Sequence, residues 1–126
     1  MTNPILLIDD DRACRRALRA LLESRGYACK EADDGLEALT LLDGGFRVDV
    51  IISDYQMPII NGLNFLKALA YRANTHELRV ILLSGDMTKE IERQAKQAGA
   101  FDVIAKPYEQ QELLALVSRA CNRELS

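Results

Sequence analysis

The 126 residues contain no tryptophan, one histidine, three prolines and three cysteines, and positive charge is in slight deficit. Each shortage closes off a class of protein. Cys14, Cys29 and Cys121 are odd in number and form no C-x-x-C pair, which excludes a disulfide framework and a thiolate zinc centre. As free thiols they are expected to be buried. The lone His76 has no second imidazole with which to share a metal and reads as a solvated loop residue. Sixteen Lys+Arg against nineteen Asp+Glu, a formal charge of -3, leave no basic surplus for a phosphate backbone, so direct nucleic-acid binding is not expected. The longest apolar runs, such as Ile5 to Ile8, fall far short of the ~20 residues that cross a bilayer, so no membrane span is expected. The opening Met1-Thr2-Asn3-Pro4 lacks the basic, apolar and small-residue segments of a secretory signal, so a cytoplasmic location is expected.

What is present is an ordinary globular composition, 48% apolar and 28% charged, at a length that suits one core over residues 1–126. Short β-branched runs alternate with longer segments whose apolar residues recur at helical spacing, the signature of βαβ units. Ile5-Leu6-Leu7-Ile8 is the first strand; Ala13, Ala17, Leu18, Leu21 and Leu22 follow at helical spacing until Gly26. Tyr27 to Ala32 is a weaker, partly polar strand suited to a sheet edge. Asp34-Gly35-Leu36-Glu37 then offers an N-cap acid with Glu three residues on, opening a helix that runs to Gly44-Gly45. Val48 to Ser53 is the third strand, followed by a helix bearing Leu63, Leu66 and Leu69. Val80 to Leu83 is the fourth, followed by a helix with Ile91, Ala95 and Ala98. A strand near Phe101 to Ala105 and a helix with Leu113, Leu116, Val117 and Ala120 complete the chain.

Strands apolar throughout need cover on both faces, so the expected architecture is α/β: a doubly wound, five-stranded parallel sheet with helices on both sides. Such sheets bind ligands beyond the carboxyl ends of their strands. Here those ends carry Asp9-Asp10-Asp11, Asp54, Ser84 and Lys106-Pro107. With strand order 2-1-3-4-5, Asp9, Asp10 and Asp54 converge, and three crowded carboxylates call for a compensating cation; hard oxygen ligands select Mg²⁺ or Mn²⁺. A divalent cation, a hydroxyl from Ser84 and an ammonium from Lys106 can each hold one oxygen of a transferring phosphoryl group while Asp54 attacks phosphorus. Any one of these residues alone would be a cap, a turn or a solvated loop side chain; four strand ends supplying one reaction are more specific.

Ile5-Leu6-Leu7-Ile8-Asp9-Asp10-Asp11, Asp54-Tyr55-Gln56-Met57-Pro58 with Asn61-Gly62, Leu83-Ser84-Gly85, Gly99-Ala100 and Ala105-Lys106-Pro107-Tyr108 together resemble the receiver domains of two-component response regulators, over essentially the whole chain. The resemblance implies a flavodoxin-like fold and a signalling domain rather than an enzyme, with only self-catalysed phosphorylation and slow dephosphorylation of Asp54. It implies Mg²⁺ held by Asp10, Asp54 and the backbone carbonyl of Gln56, with Asp9 acting through a water. Ser84 and Lys106 would contact phosphoryl oxygens, and Lys106-Pro107 is commonly cis in this family. Its donors are sensor histidine kinases or phosphotransfer proteins, and its output goes to an effector protein or domain, or to a homodimer through the fourth helix, fifth strand and fifth helix. Gln56 and Asp86 occupy the positions that tune phosphoryl loss. The switch position three residues before the lysine, aromatic in the family, is Val103 here, which shifts the burden of switching towards Ser84 and the loop after the fourth strand, with Phe101 and Tyr108 as nearby rings.

Two rivals deserve weighing. A haloacid-dehalogenase-type phosphatase would use Asp9-x-Asp11, Ser84 and Lys106, but Ala13 stands where that family prefers Thr or Val, and Glu109, Glu112 and Glu124 do not form its final metal-binding pair. A receiver-like interaction module that is never phosphorylated would have no use for the acid cluster.

Overall fold

The computed structural model describes residues 3–72 and 77–122; His76 and Glu124, and the expectations placed on them, lie outside the described residues. Ten elements alternate along the chain: β1 (Ile5–Ile8), α1 (Arg12–Glu23), β2 (Cys29–Ala32), α2 (Gly35–Asp43), β3 (Val50–Asp54), α3 (Gly62–Ala70), β4 (Arg79–Ser84), α4 (Lys89–Gln97), β5 (Asp102–Ala105) and α5 (Gln110–Cys121). The strands form one sheet in the order β2-β1-β3-β4-β5, with every neighbouring pair parallel.

Local chemistry sets the helix starts. Asp11, Asp34, Asn61 and Thr88 each cap a helix by accepting from an amide of its first turn, the expected Asp34 cap taking the Glu37 N–H at 2.9 Å. Gly26, at φ +90°, ends the chain's exit from α1 in a left-handed conformation that a side chain would strain.

Because strand side chains alternate, the sheet divides the core in two. Leu6, Ile8, Ile51, Val80, Leu82 and Val103 face one layer, covered by α2, α3 and α4 through residues such as Leu39, Phe65 and Ala95. Ile5, Leu7, Ile52, Ile81, Leu83 and Ile104 face the other, covered by α1 and α5 through Leu18, Leu22, Leu113 and Val117. Helices on both faces thus explain why these strands carry no polar alternation.

Four strands differ from the sequence reading at one or both ends; β4 is longer by a residue each way, running from Arg79 to Ser84. β2 starts at Cys29, because the Tyr27 N–H is spent on the Leu22 carbonyl at the end of α1. β5 starts at Asp102. β3 runs from Val50 through Asp54, so that acid is the last residue of the strand and inherits its rigidity. The cysteines divide as well. Cys29 is buried, and burial pushes its thiol up to about 11. Cys14 is exposed, against expectation: it lies in the first turn of α1, off the face that buries Arg15, Leu18 and Leu22, where its thiol donates to the Asp11 cap at 3.3 Å.

Phe65 is fully buried in the α2–α4 layer, whereas Tyr71 at the end of α3 is 89% exposed. Phe65→Ala is expected to destabilise the fold by about 3–5 kcal/mol. Tyr71→Ala should stay within about 0.5 kcal/mol of the parent in urea unfolding.

Candidate functional site

Parallel pairing brings all five strands to the same edge with matched ends. Ile8 pairs with Ser53, Asp54 with Leu83 and Ser84 with Ala105, so the residues following or ending β1, β3, β4 and β5 emerge side by side. One carboxylate oxygen from each of Asp9, Asp10 and Asp54 lies within 4.8 Å of the others. Asp9 is buried, Asp54 half-buried and Asp10 exposed.

The Lys106 ammonium reaches into this cluster from the end of β5, 3.2 Å from Asp54 Oδ1 and 3.7 Å from Asp9 Oδ2. The Lys106-Pro107 bond is cis, and the Lys106 N–H donates to the Ser84 carbonyl at 2.8 Å. Burial pulls the ammonium towards deprotonation, but Asp54 and Asp9 outweigh it and hold Lys106 above its ordinary pKa. Burial pushes the Asp54 carboxyl above the usual carboxylate range; Lys106 opposes this, and repulsion from Asp9 and Asp10 adds to it.

Ser84 closes the third side. It is fully buried, its hydroxyl oxygen accepts the Asp86 N–H at 3.2 Å, and among the described residues its own proton has no acceptor. Asp86 also accepts from the Gln56 side-chain amide at 2.9 Å, so two exposed side chains from the loops after β3 and β4 are joined. Beneath Asp54, the Gly62 N–H donates to the Tyr55 carbonyl at 2.7 Å. A Cβ at Gly62 would lie 3.0 Å from Tyr55 Cα, so glycine lets α3 seat directly against the end of β3. Between them, the Ile60 N–H donates to the Pro58 carbonyl at 2.8 Å around Ile59, whose φ of +74° marks a strained three-residue turn.

The donor set is chemically apt for a hard divalent cation: three carboxylates, with Lys106 as the ammonium that approaches them. Asp11 does not join it. Its carboxylate accepts from the Ala13 and Cys14 amides at 3.0 and 3.2 Å and is spent on capping α1, which removes the acid pair a dehalogenase-type phosphatase would need. Val103 lies under α4 in the layer with Ala95 and Ala100, while Phe101 and Tyr108 pack into the opposite layer with α1 and α5; neither ring substitutes for an aromatic at 103.

Two polar residues escaped the sequence reading. Ser53 is fully buried and donates to the Asp54 carbonyl at 3.0 Å, where the sequence pattern shows only the end of an apolar strand. Arg15 is buried beneath the Asp9–Asp10 segment. Its signal was its place on the apolar face of α1, three residues before Leu18 and seven before Leu22, where a solvated arginine would not be set.

A doubly wound α/β sheet with its acids, hydroxyl and lysine at the carboxyl edge defines the class of protein. The family model described as the response regulator receiver domain matches residues 5–118. Transcriptional regulatory protein CpxR of Escherichia coli (strain K12) is 37% identical over 121 residues, covering 96% of this chain and 50% of that protein. Response regulator MprA of Mycobacterium sp. (strain KMS) is 37% identical over 111 residues, covering 88% of this chain and 47% of that protein. Among solved structures, Vibrio cholerae chemotaxis protein CheY4 superposes with a TM-score of 0.87 at 30% identity, covering 95% of this chain and 99% of that one. A response regulator from Chloroflexus aurantiacus gives 0.89 at 29% identity, covering 98% and 100%. The chain belongs to the response regulator receiver domain family, a family of two-component signalling domains. It spans about half the length of the curated relatives it matches. The name of one relative, a transcriptional regulatory protein, limits the reading drawn from charge: the acidic balance speaks for the receiver and not for a longer regulator.

At pH 7 without a divalent cation, the ionised Asp54 works against folding. Its folded-state pKa is raised, so stability falls as pH climbs from the unfolded value near 3.8 through the folded one, and the deficit is complete above it. Asp54→Asn should therefore raise Tm by a few degrees at pH 7 in chelator-treated buffer, with the gain fading below about pH 4. Differential scanning calorimetry across pH checks this; an unchanged or lower Tm at pH 7 contradicts it.

Proposed function

We propose that residues 1–126 act as one phosphorylatable receiver unit in which Asp54 accepts a phosphoryl group from the phosphohistidine of a sensor kinase or phosphotransfer protein. The observation that carries the reading is the meeting of Asp9, Asp10 and Asp54 within 4.8 Å, with Lys106 3.2 Å from Asp54. The Asp54 carboxylate oxygen forms the new O–P bond as the P–N bond of the donor breaks, and the electron pair returns to the imidazole nitrogen. Lys106 stabilises negative charge gathering on one equatorial oxygen, and the unshared Ser84 hydroxyl proton is available to another. Mg²⁺, or Mn²⁺ in its place, would be held by Asp10, Asp54, the Gln56 carbonyl and, through water, Asp9, and would supply charge neutralisation at the phosphoryl oxygens. The acids of this chain orient the acceptor; the half-buried setting of Asp54 limits the water that could hydrolyse its product.

The modification then biases a two-state equilibrium, since a new charge favours only the state it interacts with better. With Val103 buried and without a ring to turn, the reading assigns this coupling to Ser84 and the loop after β4, and output to the face of α4, β5 and α5. That face carries Lys96 and Arg119 on either side of Asp102, at 3.1 and 3.9 Å, charges available to an effector or to a second copy. The cytoplasm is the proposed location; among the described residues no helix is long and apolar enough to cross a membrane.

Incubation with Mg²⁺ and a small phosphodonor, followed by intact-mass spectrometry, should give a single phosphoryl adduct that is lost in Asp54→Asn and without Mg²⁺. Retention of the adduct in Asp54→Asn would refute the assignment. The absence of both adduct and Mg²⁺ binding in the parent protein would favour the unphosphorylated interaction module.

Gln56 and Asp86 act in this reading as one strap over the acceptor, joined by their 2.9 Å hydrogen bond. Gln56→Ala, Asp86→Ala and the double variant should therefore change the adduct's lifetime by about the same factor, because either truncation breaks the strap. Multiplication of the two single effects in the double variant would show that they act separately.

A further inference from the structure

Arg15 is a buried charge that phosphoryl transfer does not call for. An apolar side chain there would complete the α1 face shared with Leu18 and Leu22, and burying a guanidinium is costly unless its donors are paired. Two of its three nitrogens have partners, and particular ones. Nη1 donates to the Asp9 backbone carbonyl at 2.6 Å and lies 2.9 Å from Asp33 Oδ1, while Nε donates to Glu31 Oε1 at 2.6 Å. Arg19, one turn later, holds the other oxygen of Glu31 at 2.9 Å. The guanidinium therefore bolts the peptide group between Asp9 and Asp10 to the end of the edge strand β2.

That peptide group decides where two of the three clustered carboxylates sit. The Asp9 N–H donates to the Ala32 carbonyl at 3.3 Å, and Asp9 Oδ1 accepts the Asp11 N–H at 2.9 Å. With the Arg15 bond to the carbonyl in between, the segment is fastened at three successive points. The Asp10 carboxylate has no such support: it is exposed, and among the described residues it takes part in no hydrogen bond or ion pair. Its place in the cluster is inherited from the backbone that Arg15 holds.

We propose that Arg15 is a positioning residue for the divalent-cation site, orienting the Asp9–Asp10 peptide so that both carboxylates face Asp54. The inference rests on the reading of the acid cluster as a cation site. Groups behind a metal ligand commonly govern affinity by 10- to 100-fold when removed.

The test is a Mg²⁺ titration of the whole chain followed by amide NMR, which reports affinity and the integrity of the fold together and needs no phosphorylation. Arg15→Met should raise the Mg²⁺ Kd about tenfold or more with the spectrum of a folded protein retained. Arg19→Met, which severs the same Glu31 carboxylate without touching Asp9, should change Kd by less than about twofold. Arg15→Lys keeps the charge but not the forked donor, so it should weaken binding several-fold, and it serves as the test should Arg15→Met fail to fold. Parent-like affinity in the folded Arg15 variants overturns the proposal, as does equal weakening by Arg19→Met, which would indicate a general loosening of α1 against β2. Failure of the parent protein itself to bind Mg²⁺ would instead overturn the cation-site reading and this inference with it.

Discussion

A parallel sheet covered by helices on both faces leaves little room for polar side chains along its inner strands, and this one constraint organises the molecule. Ile5–Ile8, Val50–Ile52, Val80–Leu83 and Val103–Ile104 are buried in two layers, so the chemistry is displaced to where the strands stop. Parallel pairing puts all those stops on one edge. Asp9, Asp54, Ser84 and Lys106 meet there because each lies at or just beyond the end of its strand, and the registers bring those ends level.

The same arrangement makes the site unstable when left alone. Three carboxylates within 4.8 Å repel one another, and the Lys106 ammonium answers only part of that charge. A site with surplus negative charge and partial burial has the character that a cation's positive charge would relieve. The rigidity needed to keep such groups together comes from outside the cluster: Gly62 seats α3 against β3, Lys106 hangs on the Ser84 carbonyl, and Arg15 fastens the Asp9–Asp10 peptide to β2.

Much of this is legible in the sequence. β1 is the apolar run Ile5–Ile8, the Asp34 cap opens α2 as its spacing with Glu37 implies, and the clustered acids are those that end or follow the strands. The misses have one character. Cys14 was expected inside because free thiols usually are, but the rotation of α1 turned it to solvent. β2 starts two residues later than read because the Tyr27 N–H was already committed to the end of α1.

By itself the sequence determined the alternation of elements, the two-sided burial of the strands and the residue types at their carboxyl ends, since these follow from hydrophobic period and local capping. Only the tertiary structure decided which long polar side chains find which partners. Arg15 meets Glu31 sixteen residues away and Gln56 meets Asp86 thirty away, on elements that become neighbours only when the sheet assembles. Periodicity assigns a face to each residue, but it carries no information about what stands opposite that face. The partners of Arg15, the exposure of Cys14 and the Gln56–Asp86 hydrogen bond were therefore settled by packing.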